Sequence, residues 1–508
     1  MSCAGWCNVW TCNKKECTAC PACMHNTTVV RCEGWCNEWT CGRRECSDCA
    51  AHNLNGCGGG SDAASHGGHS AKVAWGCCAD KQAKRCGECR WATAAGFCAQ
   101  HKVNCNKCGF SLFCPAPETI PPPAPPSPPP SPPPDFRAAS NGDLLLCDDH
   151  AGGDTSCRPF VFKGISWFGM EEKYALLQGL DRNSLGFFLD FIRSSGFNSV
   201  RVPLAVTNVL DDPKPTTVGG LVEQHNPELW QRRHLAVLDA LVDAARDRGL
   251  LLLLDVHRLR AGTRSQQLWY DSAVPEASLV KAWRVLARRY CDAAWNVVAA
   301  DLFNEPNAAS WGGGTSSLDW AAAAERIGAE VHAACPRWLL FVEGVGDVAV
   351  DGSPAVPHNR SSLPHNWAEN LEGVARRPLR GLPQQRLVYS PHVYGPSVAP
   401  QDYFEGSSGF PQNLPAVWDG AFGFVRGSAP VVVGEWGGRL TGADATWQRA
   451  FASYLTSRRI GSFYWSLNPT SGDTGGILLD DWRTPHAEKL SLLRGLPGSD
   501  AKTHLLAR

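Results

Sequence analysis

Eight polar or aromatic residues in the last three quarters of the chain invite a chemical reading: Arg201, His257, Asn304, Glu305, His392, Tyr394, Glu435 and Trp465. Each sits in a short apolar run of strand character, at or next to its end. One such residue would be an ordinary satisfied polar group, but so many in equivalent places describe a rim. Two of them are glutamates, several are aromatic, and no cluster of metal-ligand spacing accompanies them. That set suits cleavage of a glycosidic bond. One carboxyl must stay protonated to give a proton to the leaving oxygen, while the other must be ionised to attack the anomeric carbon.

The elements that must position these groups are legible as eight strand-like segments. They are FKGISWFGME, NSVRVPLA, LLLLDVHR, VVAADLFNEPN, WLLFVEGVG, RLVYSPHVYG, PVVVGEWGG and GSFYWSLNP, separated by stretches of helical period. Between the first two, Asn183 can cap a helix whose Leu185, Phe188, Leu189 and Ile192 share one face, ended by Gly196. Between the second and third, Leu235, Leu238, Leu241, Val242 and Ala245 repeat the pattern before Gly249. Eight such units predict an α/β fold, a (β/α)8 TIM barrel, with reactive groups at the carboxyl ends of its strands. A doubly wound open sheet is the alternative, and no glycine-rich phosphate loop supports it.

In order along the chain, ISWFGME, NSVRVPL, the LWY of QQLWYDS, DLFNEPN, FVEGV, HVYG, VVVGEWGG and SGDTGGILLDDW resemble glycoside hydrolase family 5, particularly its bacterial-type endoglucanases. The similarity covers nearly all of residues 140–490. It implies that Glu305 is the acid/base and Glu435 the nucleophile of a retaining double displacement, with Asn304 on the sugar 2-hydroxyl. It implies further that Arg201 and Tyr394 flank Glu435, that His257 and His392 line the subsite, and that Trp465 is its stacking floor. Trp167, Trp269 and Trp311 are candidate platforms for further glucose units, against the alternative that they are core packing. The implied substrate is cellulose or a related β-glucan, the implied enzyme an endo-β-1,4-glucanase needing no cofactor. Another β-glycanase of the family, such as a mannanase or xyloglucanase, and a wall-binding glycoprotein without activity are the rival readings.

The remainder of the chain has a different composition. Of 508 residues, 24 are cysteine, and all but Cys147, Cys157, Cys291 and Cys335 lie between Cys3 and Cys114. GWCNVWTCNKKECTAC from Gly5 and GWCNEWTCGRRECSDC from Gly34 repeat with a period of 29 residues, giving six-cysteine modules at 1–29 and 30–57. A Gly/Ser/His-rich connector (58–74) leads to a third module (75–114) with eight cysteines. A proline-rich linker (115–135) follows, with polyproline II geometry expected, and the catalytic barrel is placed at 136–508. Even cysteine counts favour disulfides, although Cys86-x2-Cys89 and Cys105-x2-Cys108 have a zinc-like spacing. Trp6, Trp10, Trp35 and Trp39 recur at equivalent repeat positions and are candidate sugar-stacking aromatics. The arrangement resembles the cysteine-rich modules of cellulases from volvocine green algae. Cys147 and Cys157 flank a turn, and Cys291 and Cys335 fall where neighbouring helices end, so both pairs are expected to bridge. A net charge of −1, and +4 over residues 1–114, gives no reason to expect nucleic acid as a partner. No apolar run reaches the ~20 residues of a membrane helix. A secreted monomer is expected, with its start and signal peptide missing from the sequence.

Overall fold

The computed structural model describes residues 75–77, 113–115, 133–149, 155–216, 221–263, 267–313, 315–356 and 363–500. The chain divides into two compact units, Met1–Ser127 and Pro128–Arg508. In the first, β1 (Trp75–Cys77) pairs antiparallel with β2 (Phe113–Pro115), Trp75 opposite Pro115. This ribbon joins the two ends of the predicted third module. Trp6, Trp10, Trp35 and Trp39, both six-cysteine repeats, the zinc-like cysteines and residues 116–132 lie outside the described residues.

The second unit is a closed parallel barrel of β6 (Lys163–Ser166), β7 (Ser199–Ala205), β8 (Leu251–Arg258), β9 (Val297–Asp301), β10 (Leu339–Val342), β11 (Leu387–Tyr389), β12 (His392–Tyr394), β13 (Val432–Gly437) and β14 (Gly461–Tyr464). Hydrogen bonding runs β11-β10-β9-β8-β7-β6-β14-β13-β12, and the chain from β11 to β12 closes the ring. All eight predicted segments are strands. The sixth, RLVYSPHVYG, is broken in two because Pro391 has no N–H for the ladder. Its carbonyl instead accepts from Gly434, and the Ser390 N–H reaches Val342.

Alternation along the strands explains what fills the barrel and what crowns it. Leu251 and Leu253 point inward, Leu252 and Leu254 outward to the helices, as their separate hydrophobic clusters show. The inward parity continues to Asp255 and His257. By the same parity, Ala299 leads to Asp301 and Phe341 to Glu343. Thus one period places apolar residues in the lower barrel and charged ones at the carboxyl ends.

Helices follow the expected faces. In α1 (Leu185–Ser194) the buried residues are Leu185, Phe188, Leu189 and Ile192, and Gly196 follows at φ +86°. Its cap is Ser184, not Asn183: the Ser184 hydroxyl accepts from Phe187 N, whereas the Asn183 amide donates to Trp482 O. The second predicted helix runs His234–Arg246 (α4, after the short α2, Val206–Asp211, and α3, Leu221–His225), with Leu235, Leu238, Leu241, Val242 and Ala245 buried.

The amino-terminal mouth is covered by an antiparallel sheet of β3 (Asp135–Ala138), β4 (Leu144–Asp149) and β5 (Thr155–Pro159). Its Phe136, Leu144 and Leu146 pack with Phe160 and Phe162 against Leu251, Leu339 and Val432, the first residues of their strands. Cys147 and Cys157 pair across β4 and β5 as a disulfide. Cys291 and Cys335 are bonded as well, joining the ends of α5 (Glu276–Tyr290) and α6 (Trp320–Ala334) just before β9 and β10.

Candidate active site

Arg201, on β7, is completely buried and is the hub of the carboxyl end. Its guanidinium donates to Asp301 Oδ2 (3.0 Å), Asn304 Oδ1 (3.0 Å), Glu343 Oε1 (3.3 Å) and Glu435 Oε1, and pairs with Asp255 Oδ2 at 3.1 Å. A planar guanidinium with five fixed donors satisfies this many acceptors as an ammonium could not. Because Asn304 spends its carbonyl on Arg201, its Nδ2 amide is the group left to donate to a ligand.

Glu435, from β13, receives a second bond from the Tyr394 hydroxyl at 2.6 Å, and His392 Nδ1 lies 3.6 Å from its Oε2. Gly434 makes that approach possible, since a Cβ there would lie 2.8 Å from His392 Nε2. Burial alone would raise the Glu435 pKa, but the charges of His392 and Arg201 and the Tyr394 bond outweigh it and hold the carboxyl below its usual value.

Glu305 is treated oppositely. Burial, reinforced by the Glu435 charge, pushes its pKa up to about 7, against the bond from His392 Nδ1 at 3.1 Å. Two glutamates therefore face one another in different protonation states, with a carboxylate oxygen of each within 4.8 Å of the other and of a His392 nitrogen. The backbone of Glu305 is left-handed, φ +48°, although Pro306 follows and disfavours compact conformations at the preceding residue. Such a conformation costs about 1–2 kcal/mol for an L-residue, and the Glu305 N–H is held by Glu343 Oε2 at 2.7 Å.

His257 donates from Nδ1 to Asp255 Oδ2 at 2.7 Å, and burial holds its pKa well below the usual value, so it is neutral with Nε2 as an acceptor. Trp465 follows β14, is half-buried, and runs parallel to the Phe168 ring (5.3 Å, 9°) and the His257 ring (5.5 Å, 8°). Its indole N–H donates to Ser471 Oγ, and its peptide to Ser466 is cis.

The structure thus brings together Arg201, His257, Asn304, Glu305, His392, Tyr394, Glu435 and Trp465. It does not place Trp167, Trp269 or Trp311 among them. Their exposures are 0, 0 and 1 %, and their indole N–H groups are spent on Gln178 O, Glu276 and Arg377 O. With both ring faces covered by core atoms, they are packing residues. An exposed tryptophan lies elsewhere: Trp367, 51 % exposed, borders a groove with Gln267, Asn307, Gly346 and Asp347 on the loops after β8, β9 and β10. Also unforeseen were Asp255, Asp301, Glu343 and Phe168. The first three have a sequence signal, namely a carboxylate continuing the inward parity of an apolar strand.

The sets Glu305–His392–Glu435 and Asp301–Glu343–His392 have ligand-like spacing. Arg201 already pairs with three of these carboxylates, which argues against a cation in either set.

Residues 154–471 match the family model for cellulase, glycosyl hydrolase family 5. The chain is 40 % identical over 347 residues to an endoglucanase of Paenibacillus polymyxa, covering 67 % of this chain and 83 % of that protein. It is 38 % identical over 355 residues to the major extracellular endoglucanase of Xanthomonas campestris pv. campestris, covering 69 % and 70 %. Among solved structures, a hyperthermophilic endocellulase from Pyrococcus horikoshii superposes with a TM-score of 0.65 at 34 % identity, covering 71 % of this chain and 98 % of that one. Variants of that enzyme are known in complex with cellotetraose. A barrel with this rim, matched over most of its length by such relatives, belongs to glycosyl hydrolase family 5.

Proposed function

We propose that the protein is a secreted endo-β-1,4-glucanase that cleaves internal bonds of cellulose or a related β-glucan with retention of configuration. The observation that carries the mechanism is the pair of glutamates with pKa values driven apart and oxygens within 4.8 Å. Retaining enzymes need carboxyls about 5–5.5 Å apart, whereas inverting ones need ~6.5–9.5 Å to admit a water.

Glu305, protonated below neutral pH, gives its proton to the leaving glycosidic oxygen. Glu435 attacks the anomeric carbon from the opposite face, and the C–O bond to the leaving chain breaks as the glycosyl ester forms. Arg201 and Tyr394 orient the attacking carboxylate. Glu305, now ionised, takes a proton from water, whose oxygen attacks the same carbon and expels Glu435. Asn304 Nδ2 donates to the 2-hydroxyl, where the bond strengthens in the transition state. His257 Nε2 accepts from another hydroxyl, and Trp465 supports the ring. Trp367 offers a stacking face where Trp167, Trp269 and Trp311 cannot. The cellulosic substrate and the extracellular setting are supported by the names of the relatives. The cysteine-rich segments would hold the barrel near insoluble substrate and raise its effective concentration there.

The test is reducing-sugar release by the full chain from carboxymethylcellulose, β-mannan and xyloglucan, with the anomer of the first product read by NMR. Dominant release from carboxymethylcellulose as the β-anomer is expected. Preference for mannan or xyloglucan replaces the substrate, an initial α-anomer removes the retaining mechanism, and silence from folded protein favours a wall-binding role.

A further inference from the structure

We propose that Glu343 is a positioning residue for this reaction, holding the backbone of Glu305 with one carboxylate oxygen and the doubly protonated state of His392 with the other. The inference rests on the reading of Glu305 and Glu435 as the reacting pair. Glu343 follows β10, is wholly buried, and touches no surface that a sugar could reach.

Its Oε2 accepts from Glu305 N at 2.7 Å. Just beyond, Asn307 N closes on Glu305 O at 2.7 Å, so the left-handed residue is clamped from both sides. Without the Glu343 oxygen, that N–H would be a buried orphan and the chain could relax towards the extended conformation favoured before proline. Such a change would swing the Glu305 carboxyl away from the bond it must protonate.

The other oxygen, Oε1, lies 3.1 Å from His392 Nε2 and 3.3 Å from Arg201 Nη2. The opposite ring nitrogen, Nδ1, faces Glu305 Oε1 at 3.1 Å and Glu435 Oε2 at 3.6 Å. With the carboxylate of Glu343 facing Nε2 and the ionised Glu435 facing Nδ1, a buried ring answers both negative charges by carrying a proton on each nitrogen. The titratable and charged groups around it are Arg201 from β7, Asp255 and neutral His257 from β8, Asp301 and Glu305 from β9 and its loop, Tyr394 from β12 and Glu435 from β13. Burial would lower His392, but the negative charges of Glu343 and Glu435 raise it well above the usual value. The imidazolium then faces both glutamates and favours the ionised form of Glu435. Glu343 thereby acts on both halves of the mechanism through intermediaries.

Glu343→Gln has nearly the same shape, and its amide carbonyl can still accept from Glu305 N. Its NH2 would then face His392 Nε2, which must give up its proton, leaving a neutral ring. The expected result is a folded variant with kcat lowered about tenfold or more, KM within about twofold, and the acid limb of the pH profile moved upward. Glu343→Ala, lacking the backbone clamp too, should lose more kcat. A folded Glu343→Gln with wild-type kcat, or one whose acid limb stays in place, overturns the proposal. A measurement on the wild-type full chain does not depend on variant folding: 15N NMR of labelled histidines, with His392 assigned through His392→Gln. Two protonated nitrogens at neutral pH are expected, and a singly protonated ring overturns the proposal. Because this readout involves no substrate, its failure is distinguishable from failure of the glucanase reading, which would show as inactivity of the wild type.

Discussion

Tyr394→Phe isolates one bond at the nucleophile. The phenol donates to Glu435 Oε2 at 2.6 Å, and both side chains are nearly excluded from water, at 9 and 4 % exposure. The substitution removes one oxygen from a packed ring and leaves Arg201 and His392 in place. A hydrogen bond to a charged group contributes about 1.5–3 kcal/mol. At 1.36 kcal/mol per pKa unit, its loss should raise the Glu435 pKa by about 1–2 units. Glu435 must be ionised to attack, so the acid limb of kcat/KM moves upward by that amount. The alkaline limb, set by deprotonation of Glu305 near pH 7, should not move, so the profile narrows from one side. The sign for stability agrees. A depressed carboxyl stabilises the fold above its unfolded pKa, and this contribution is lost as pH falls through the folded pKa, so the variant should be less stable at neutral pH and lose less on acidification. The assay is hydrolysis of a soluble β-glucan from pH about 3 to about 9, with thermal unfolding to show that the variant is folded. An acid limb displaced by less than about 0.3 unit, or movement of the alkaline limb alone, would refute the assignment of ionisation states.

Three further perturbations test other parts of the structure. Gly434→Ala places a methyl against Ser390 Oγ and 2.8 Å from His392 Nε2, so both must move; kcat should fall at least about tenfold, and the overpacking should cost about 1–3 kcal/mol of stability, read as a lowered Tm. Removing Cys291–Cys335, which closes 44 residues, should cost about 4 kcal/mol on loop entropy, against about 2.7 kcal/mol for Cys147–Cys157, which closes 10; urea midpoints of the two double-alanine variants would show the order. His365 bridges Asp347 and Glu372, and despite burial these bonds push its pKa up to about 9. That contribution, on the order of 3 kcal/mol, is complete below pH about 6.5 and lost as pH rises through 9, so His365→Asn should flatten the alkaline decline of stability.

The barrel was legible because each strand is an apolar run of the right length, and the rim because polar residues interrupt those runs near one end. Period-2 alternation relates the two at Asp255, Asp301 and Glu343, whereas Glu305 and Glu435 stood out by their place at strand ends and took their expected roles from the family resemblance. Two limits have physical causes. Trp167, Trp269 and Trp311 were read as possible platforms because residue type cannot tell a covered indole from an open one; burial decides it, and Trp367 carries no sequence mark that sets it apart. Glu343 stood in the FVEGV string but was not singled out, since its partners are a backbone N–H 38 residues away and a histidine ring 49 residues away, brought together only by barrel closure. The split of the sixth strand was foreshadowed by Pro391, whereas the sheet over the lower mouth had no periodicity strong enough to separate it from the barrel.

That lower sheet has a consequence for how the enzyme can change. It and both disulfides sit at the amino-terminal ends of the strands, while Arg201, Glu305, His392 and Glu435, the proposed reacting groups and their partners, sit at the carboxyl ends. Substitutions at such separated, non-contacting places combine nearly additively. Heat tolerance and substrate choice are therefore separable traits in this chain: selection, natural or in the laboratory, can harden the floor without retuning the cleft, or reshape the upper loops while the floor keeps the barrel shut.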